Sequence, residues 1–419
     1  VAFLYVLLWN LGSLKQYATT CCPSKGVGSS IGLAGYLFFS ASLLFSSRWR
    51  KLEDWIGGLD QLYHLHRKFG IIGFSLMLIH PWVEAVKWLP QRALKFVFIT
   101  LPVHGRFSVN LGSFAFWLTV IILGITLLKV LRYDRWKRLH TFMILVFILA
   151  SLHVLLSRKR FGSEFSHFLF LIPMCVGFFG ILYREVFFRF FAKKYLFKVE
   201  HATHVSPNVT ELILSPIGDR MSFIPGQYGF FSFSSPSLTK EAHPFTCIGS
   251  VDDSTIALLV KARGDFTKNL YHHINREMVV QCEGPYGRFS YVHGGPSQIW
   301  IGGGIGIVAF IAWVRSMKRS DWENIRVDLY YCVHNRTDAI YCDEFQRVSG
   351  EYANFRWFLH CSEDGNRLDV PKVLATSGGF EGKKIYMCGP EKLTRNFSKK
   401  FVDFGVKDED IAFEDFDFF

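Results

Sequence analysis

Leu65–Trp88 reads LHRKFGIIGFSLMLIHPWVEAVKW, an apolar stretch of helix length with His66 and His80 towards its ends. A second stretch, Leu139–Ser157 (LHTFMILVFILASLHVLLS), carries His140 and His153. Polar side chains inside hydrocarbon are costly, so four imidazoles in two such spans call for partners. Two iron porphyrins, each gripped by one histidine from each span, would supply them. If the spans run parallel, His66 and His140 share one level and His80 and His153 the other. At ~1.5 Å per helical residue, both spacings put the levels roughly 20 Å apart. His66 and His80 return to nearly the same helix face, whereas His140 and His153 miss it by a large angle. The second span must therefore be bent, tilted or locally overwound. His64 rivals His66 but points elsewhere on a helix, and His104 and His167 read as interfacial residues at loop or span ends.

The chain of 419 residues has room for two or three domains. Half of it is hydrophobic, with 43 phenylalanines, a composition foreign to an ordinary soluble enzyme. Through residue 200 there are 24 Lys and Arg against 8 Asp and Glu, beyond it 23 against 27, so +16 gives way to −4. The basic excess lies in loops between apolar spans, which argues for a lipid bilayer and against nucleic acid. Nine cysteines without a C-x-x-C argue against thiolate metal sites and a disulfide framework. The vicinal Cys21-Cys22 reads as incidental. The sequence opens on Val1 within an apolar run, with no cleavable signal peptide recognisable.

Six spans are expected in residues 1–192, centred on 1–11, 31–45, 65–88, 107–128, 139–157 and 168–188, each apolar for about the ~20 residues a bilayer requires. Arg48, Arg50, Lys51, Arg67 and Lys68 follow the second span, and Lys129, Arg132, Arg135, Lys137 and Arg138 the fourth. Arg184, Arg189, Lys193 and Lys194 mark the last exit. The positive-inside rule places these ends, and everything after residue 192, in the cytoplasm of a plasma or inner membrane protein. Lys87, Arg92, Lys95 and Arg158–Arg160 leave some charge on the other side.

From Tyr195 the pattern changes to short alternating runs broken by turns. Segments 198–205, 210–215, 228–234, 255–262 and 278–283 read as strands of a small antiparallel β-barrel occupying 193–296. From Gln298 the rhythm is strand, glycine loop, helix, strand: an α/β nucleotide-binding domain over 297–419. Gly302-Gly303-Gly304-Ile305-Gly306 stands between a strand and an apolar helix. Such a turn lets backbone approach a dinucleotide pyrophosphate and aims helix N–H groups at it. Gly304-x-Gly306-x-x-Ala309 fits the relaxed fingerprint. The next strand ends on His334-Asn335-Arg336 without an acidic residue, so Arg336 either meets a 2′-phosphate or lies solvated.

Five short motifs fall in order: Pro225-Gly226-Gln227-Tyr228, His243-Pro244-Phe245-Thr246, Gly284-Pro285-Tyr286-Gly287, the Gly302–Gly306 loop and Cys388-Gly389-Pro390. Together they resemble the ferredoxin-NADP reductase superfamily. HPFT joined to a six-span domain with paired histidines is similar to the NADPH oxidase and ferric reductase family, on its prokaryotic side. The resemblance implies FAD at His243–Thr246, with His243 at the pyrophosphate and Thr246 by the isoalloxazine. It implies that Arg263, Gly264, Asp265, Phe266 and Thr267 line the FAD phosphates and that Cys388, with Gly389 and Pro390, lies near the nicotinamide. Glu414-Asp415-Phe416 resembles the family's terminal Glu-x-aromatic, which would lay Phe416 over the flavin. Where the family follows its glycine loop with Thr-Pro this chain has Val308-Ala309, which removes a hydroxyl donor to the nucleotide phosphates.

The expected path runs from NADPH or NADH to FAD, because flavin accepts a hydride and releases single electrons. Two b-type haems then carry electrons outward, and bis-histidine ligation leaves the iron closed. The expected acceptor is O2, reduced to superoxide, with no obligate protein partner. A transmembrane ferric or other metal reductase shares this wiring, and a sensor or scaffold that binds nucleotide without turnover is the alternative of another class. No EF-hand pattern is present in these residues.

Overall fold

The computed structural model describes residues 23–128, 131, 133–157, 164–239, 241–249 and 254–414. It comprises two compact units, Val1–Phe191 and Ala192–Phe419.

In the first unit the principal helices are α1 (Pro23–Phe45), α2 (Leu59–Ala85), α3 (Phe107–Leu127), α4 (Tyr133–Thr141), α5 (Met143–Leu156) and α6 (Glu164–Leu182). With α4 and α5 counted as one span, five helical stretches among the described residues are long and apolar enough to cross a membrane. The expected first span, residues 1–11, lies outside the described residues, so five spans stand where six were expected. Ile121, Leu145, Ile148, Leu152, Leu171 and Ile172 project outward, as faces that meet acyl chains do. The interior gathers around Tyr36, which stacks on Phe147 and Phe170 with ring centres 5.1 and 4.9 Å apart. Its hydroxyl meets Ser151 Oγ at 2.5 Å.

Lipid tails are as apolar as leucine, so close packing, not hydrophobic transfer, holds such helices together. Gly35 of α1 and Gly73 of α2 provide it: a methyl on Gly73 would stand 3.1 Å from the Gly35 carbonyl. Hydroxyls within the spans are satisfied by their own helices, Ser40 on Tyr36 O, Thr119 on Ala115 O and Ser151 on Phe147 O. The irregularity demanded of the fifth span lies at Phe142, between α4 and α5. There Phe142 N donates to Leu139 O, an i→i−3 bond, and this tighter winding advances the helix face by ~120° per residue in place of ~100°.

The second unit opens with a six-stranded antiparallel sheet: β1 (Lys194–Ser206), β2 (Val209–Ile217), β3 (Tyr228–Phe233), β4 (His243–Thr246), β5 (Ile256–Lys261) and β6 (Val279–Tyr286). Their order is β4-β3-β6-β1-β2-β5. The two edges meet through an isolated bridge, Ile248 with Ala257. The closed barrel expected from the strand pattern is therefore a sheet whose edges touch at one point without forming a ladder. Helix α7 (Asp265–His273) follows β5.

The remainder is a parallel sheet of β7 (Ser297–Gly303), β8 (Arg326–Val333), β9 (Phe355–Cys361), β10 (Lys384–Cys388) and β11 (Ile411–Glu414). Around it lie α8 (Ile307–Ser316), α9 (Cys342–Glu351), α10 (Val370–Ser377) and α11 (Glu391–Asp403). The order β11-β10-β7-β8-β9 places the topological switch between β7 and β10, the crevice where open α/β sheets bind ligands. One apolar core joins the two sheets, running from Val209, Ile248 and Leu259 to Trp300, Phe310 and Trp313. The Trp313 indole donates to Pro225 O at 3.1 Å. Arg315 of α8 forks onto Glu344 of α9 and reaches Glu211 of β2 at 3.2 Å.

Candidate functional site

His66 and His140 sit with ring centres 6.1 Å apart and planes at 84°. Two imidazoles facing one metal at the usual ~2.0–2.1 Å bond length have ring centres roughly 6 Å apart, so this pair fits opposite sides of a single iron. His80 and His153 line one cavity together with Tyr36, Gly32 and Gly112. Among the described residues no three His, Cys, Asp or Glu side chains converge as ligands of a bare ion would. The histidines come in twos, as axial ligands of a porphyrin do.

Neighbouring helices set the ring orientations. His80 Nδ1 lies 2.7 Å from Gly28 O, His153 Nδ1 2.6 Å from Ser108 O, and His66 Nδ1 2.8 Å from Ser42 O. A carbonyl only accepts, so Nδ1 carries the proton and Nε2 keeps its lone pair for a metal. His140 Nδ1 is buried and finds no partner among the described residues; its ring lies 5.3 Å from that of Trp136. These carbonyls are invisible to sequence reasoning, because a backbone acceptor leaves no residue-type signature. His104 is bound within its own loop, Nε2 to Ile99 O.

In the second unit the motif His243–Thr246 forms β4, a strand the alternation pattern missed because Pro244 interrupts it. It pairs antiparallel with β3, Thr246 opposite Tyr228 and His243 opposite Phe231. The His243 imidazole stacks on Phe266 at 3.9 Å, which brings together two segments that resemblance alone linked. Glu241 Oε2 lies 3.7 Å from His243 Nε2. Thr267 Oγ1 accepts from Arg263 N and Gly264 N, each at 3.0 Å, and so shapes the turn into α7. The α7 N-terminus beside an aromatic-imidazole stack suits the phosphates and a planar ring of a dinucleotide. Pro244 and Phe245 pair with Phe230 and Gly229 of β3.

At the switch point Cys388, at the end of β10, is in register with Gly302 at the end of β7. The glycines here do different things. A methyl on Gly303 would lie 3.1 Å from Pro390, and one on Gly306 would lie 2.7 Å from Gly389. Gly302 is closed by Ile307. Gly303 and Gly306, with Gly389, allow two turns to pack backbone to backbone. Gly304 alone combines a left-handed φ of 54° with open space over its Cα, and it is the position a pyrophosphate can approach. Val308 and Ala309 are buried in α8. Arg336 is exposed in the turn that follows β8. Glu414 closes β11 in register with Cys388; Phe416 lies outside the described residues.

Three domain families match in succession. Residues 31–151 match the ferric reductase like transmembrane component, 195–290 an FAD-binding domain and 300–399 an oxidoreductase NAD-binding domain. The chain has the architecture of the NADPH oxidase/ferric reductase family. It thereby joins a ferric-reductase-like transmembrane component to FAD-binding and oxidoreductase NAD-binding domains. Among curated proteins it is similar to one component of the Na(+)-translocating NADH-quinone reductase. Identity is 25% with the Neisseria gonorrhoeae protein and 27% with that of Methylococcus capsulatus, in each case over 33% of this chain and 37% of the relative. The chain thus spans little more than a third of the length of those relatives. Among solved structures, flavohemoglobin from Malassezia yamatoensis shares the fold at a TM-score of 0.51 and 14% identity, covering 98% of each chain. The FAD/NAD-binding domain of the Vibrio cholerae nitric oxide dioxygenase aligns with 53% of this chain and 98% of its own at 19% identity and a TM-score of 0.46.

Proposed function

We propose that this NADPH oxidase/ferric reductase family member is a transmembrane NAD(P)H oxidase. It would carry electrons from cytosolic NAD(P)H through FAD and two b haems to dioxygen on the far side, releasing superoxide. The observation that carries the reading is the 6.1 Å spacing of the His66 and His140 rings, a separation that fits two ligands of one iron. Bound FAD would supply the conversion of a hydride into single electrons, and haem held by paired histidines would supply one-electron transfer. His66 with His140 and His80 with His153 would hold the two irons. The carbonyls of Ser42, Gly28 and Ser108 fix three of these rings and raise the basicity of their Nε2 atoms. His243 and Phe266 offer a stacked platform to FAD, with Arg263 and the α7 N-terminus placed for its phosphates. Gly304 would admit the nucleotide pyrophosphate, Arg336 would meet a 2′-phosphate, and Cys388 would lie near the nicotinamide. The basic span ends support a cytoplasmic second unit.

The test is a reduced-minus-oxidised spectrum of detergent-purified protein given FAD and NADPH. A b-type spectrum at two haems per chain, lost in stages by His66→Ala and His80→Ala, is expected; absence of haem bands refutes the reading. A metal reductase is the second reading, favoured by the match to the ferric reductase transmembrane component. Superoxide dismutase-sensitive cytochrome c reduction, set against ferric chelate reduction, separates the two. Failure of the purified protein to consume NAD(P)H would leave a sensor or scaffold.

A further inference from the structure

The second histidine level is built twice by the same device. On α1, Gly28 O takes the His80 proton and Gly32, one turn on, faces the ring; on α3, Ser108 O takes the His153 proton and Gly112 faces the ring. A methyl on Gly32 would stand 2.8 Å from His80 Nδ1, and a methyl on Gly112 would stand 2.7 Å from His153 Nδ1. Contact between carbon and nitrogen is settled nearer 3.5 Å or beyond (~3.5–4.0 Å for nonbonded heavy atoms), so neither ring could stay. The flanking sequences run in parallel as well: Ile31-Gly32-Leu33-Ala34-Gly35-Tyr36 against Leu111-Gly112-Ser113-Phe114-Ala115-Phe116. Both place an aliphatic residue before the glycine, a small residue three positions after it and an aromatic next.

We propose that Gly32 and Gly112 are positioning residues for the His80 and His153 pair, each opening the space in which an imidazole lies flat against a neighbouring helix while its proton is taken by the carbonyl one turn earlier. The two requirements act together. The carbonyl holds Nδ1, and the glycine lets the ring come close enough for that bond, while both histidines line the shared cavity. Among the described residues the His66 level has no such glycine: Ser42 serves it through its carbonyl and its hydroxyl, the latter 2.9 Å from Nδ1. A methyl at either glycine should therefore disable one iron site and spare the other. The inference rests on the reading of the histidine pairs as haem ligands.

The test uses full-length protein purified in detergent, with haem counted per chain by the pyridine haemochrome method and the fold followed by thermal melting. Gly112→Ala and Gly32→Ala are each expected to hold one haem where the parent holds two, with a low-spin bis-histidine spectrum for the one that remains. Gly124→Ala on the same α3, where a methyl meets nothing within 4 Å, is the matched control and should keep both. Adding His66→Ala to Gly112→Ala should remove the remaining haem. Two haems with unchanged spectra in Gly32→Ala and Gly112→Ala would overturn the inference while leaving the haem reading intact. Equal loss in Gly124→Ala would overturn it by showing a general sensitivity of α3. Parent protein without haem would instead defeat the reading beneath it.

Discussion

Arg315 links both sheets of the second unit, and its removal gives a measurable cost. Its Nε and Nη2 meet the Glu344 carboxylate at 3.1 and 3.0 Å, its Nη1 meets Glu211 at 3.2 Å, and its guanidinium lies 4.7 Å over the Tyr341 ring. The side chain is 26% exposed, and Glu211 and Glu344 are 20% and 19% exposed. Two carboxylates sharing one fork, with desolvation overcome by paired hydrogen bonds, hold the guanidinium charged at any accessible pH. Arg315→Met keeps the stem and deletes the charge, leaving two carboxylates facing each other with reduced access to water. Breaking a fully buried pair costs ~3–5 kcal/mol; with a fifth of each partner still wetted, about 2–3 kcal/mol is expected here. Urea unfolding followed by tryptophan fluorescence reads this directly, since Trp300, Trp313 and Trp322 are buried in this unit. Pairing the change with Glu211→Gln should recover about 1 kcal/mol, as neighbours in one network couple. A loss below about 0.5 kcal/mol, the level of an exposed pair, would refute the claim that this fork holds the two sheets together.

Other outcomes can be checked as simply. Burial pushes the Cys332 thiol up to about 12 and raises those of Cys247 and Cys282 further, so the folded chain keeps protons that the unfolded chain loses near pH 8.5. Stability is then intact below that pH and falls above it, by ~1.4 kcal/mol per pH unit for each thiol; a flat profile from pH 8 to 10.5 would contradict it. Gly306→Ala drives a methyl into the Cys388 backbone, and the ~1–3 kcal/mol typical of overpacking should slow flavin reduction by NAD(P)H about tenfold or more in stopped flow. Arg336→Ala should raise KM for NADPH roughly tenfold, in line with the ~1.5–3 kcal/mol of a charged hydrogen bond, and leave KM for NADH unchanged. No change in either KM would show the side chain to be solvated, and an equal rise in both would show that it meets a part the two nucleotides share.

Much of this protein is legible in its residues. Apolar length sets the spans, since a bilayer of fixed thickness admits a narrow range of helix lengths. The spacing of His66 with His80 and of His140 with His153 sets their depths, because helical rise is constant, and it also demands the irregularity found at Phe142. The alternation of strand and glycine turn announces the parallel sheet with its crevice. What the sequence could not settle depends on contacts between segments far apart. The proton acceptors of His66, His80 and His153 are backbone carbonyls on other helices, and every residue has a carbonyl. His243–Thr246 becomes a strand because β3 offers an edge, against the local signal of Pro244. Of the glycines in the Gly302–Gly306 loop, packing decides that Gly302 is closed by Ile307, that Gly303 and Gly306 meet Pro390 and Cys388, and that Gly304 faces open space. The first sheet stops short of a barrel because the chain just past β4 meets β5 at a single bridge, Ile248 with Ala257, a matter of curvature and register that no local pattern encodes. Period and composition are properties of one segment and can be read along it; orientation, proximity and free space are properties of pairs, and folding alone brings the pairs together.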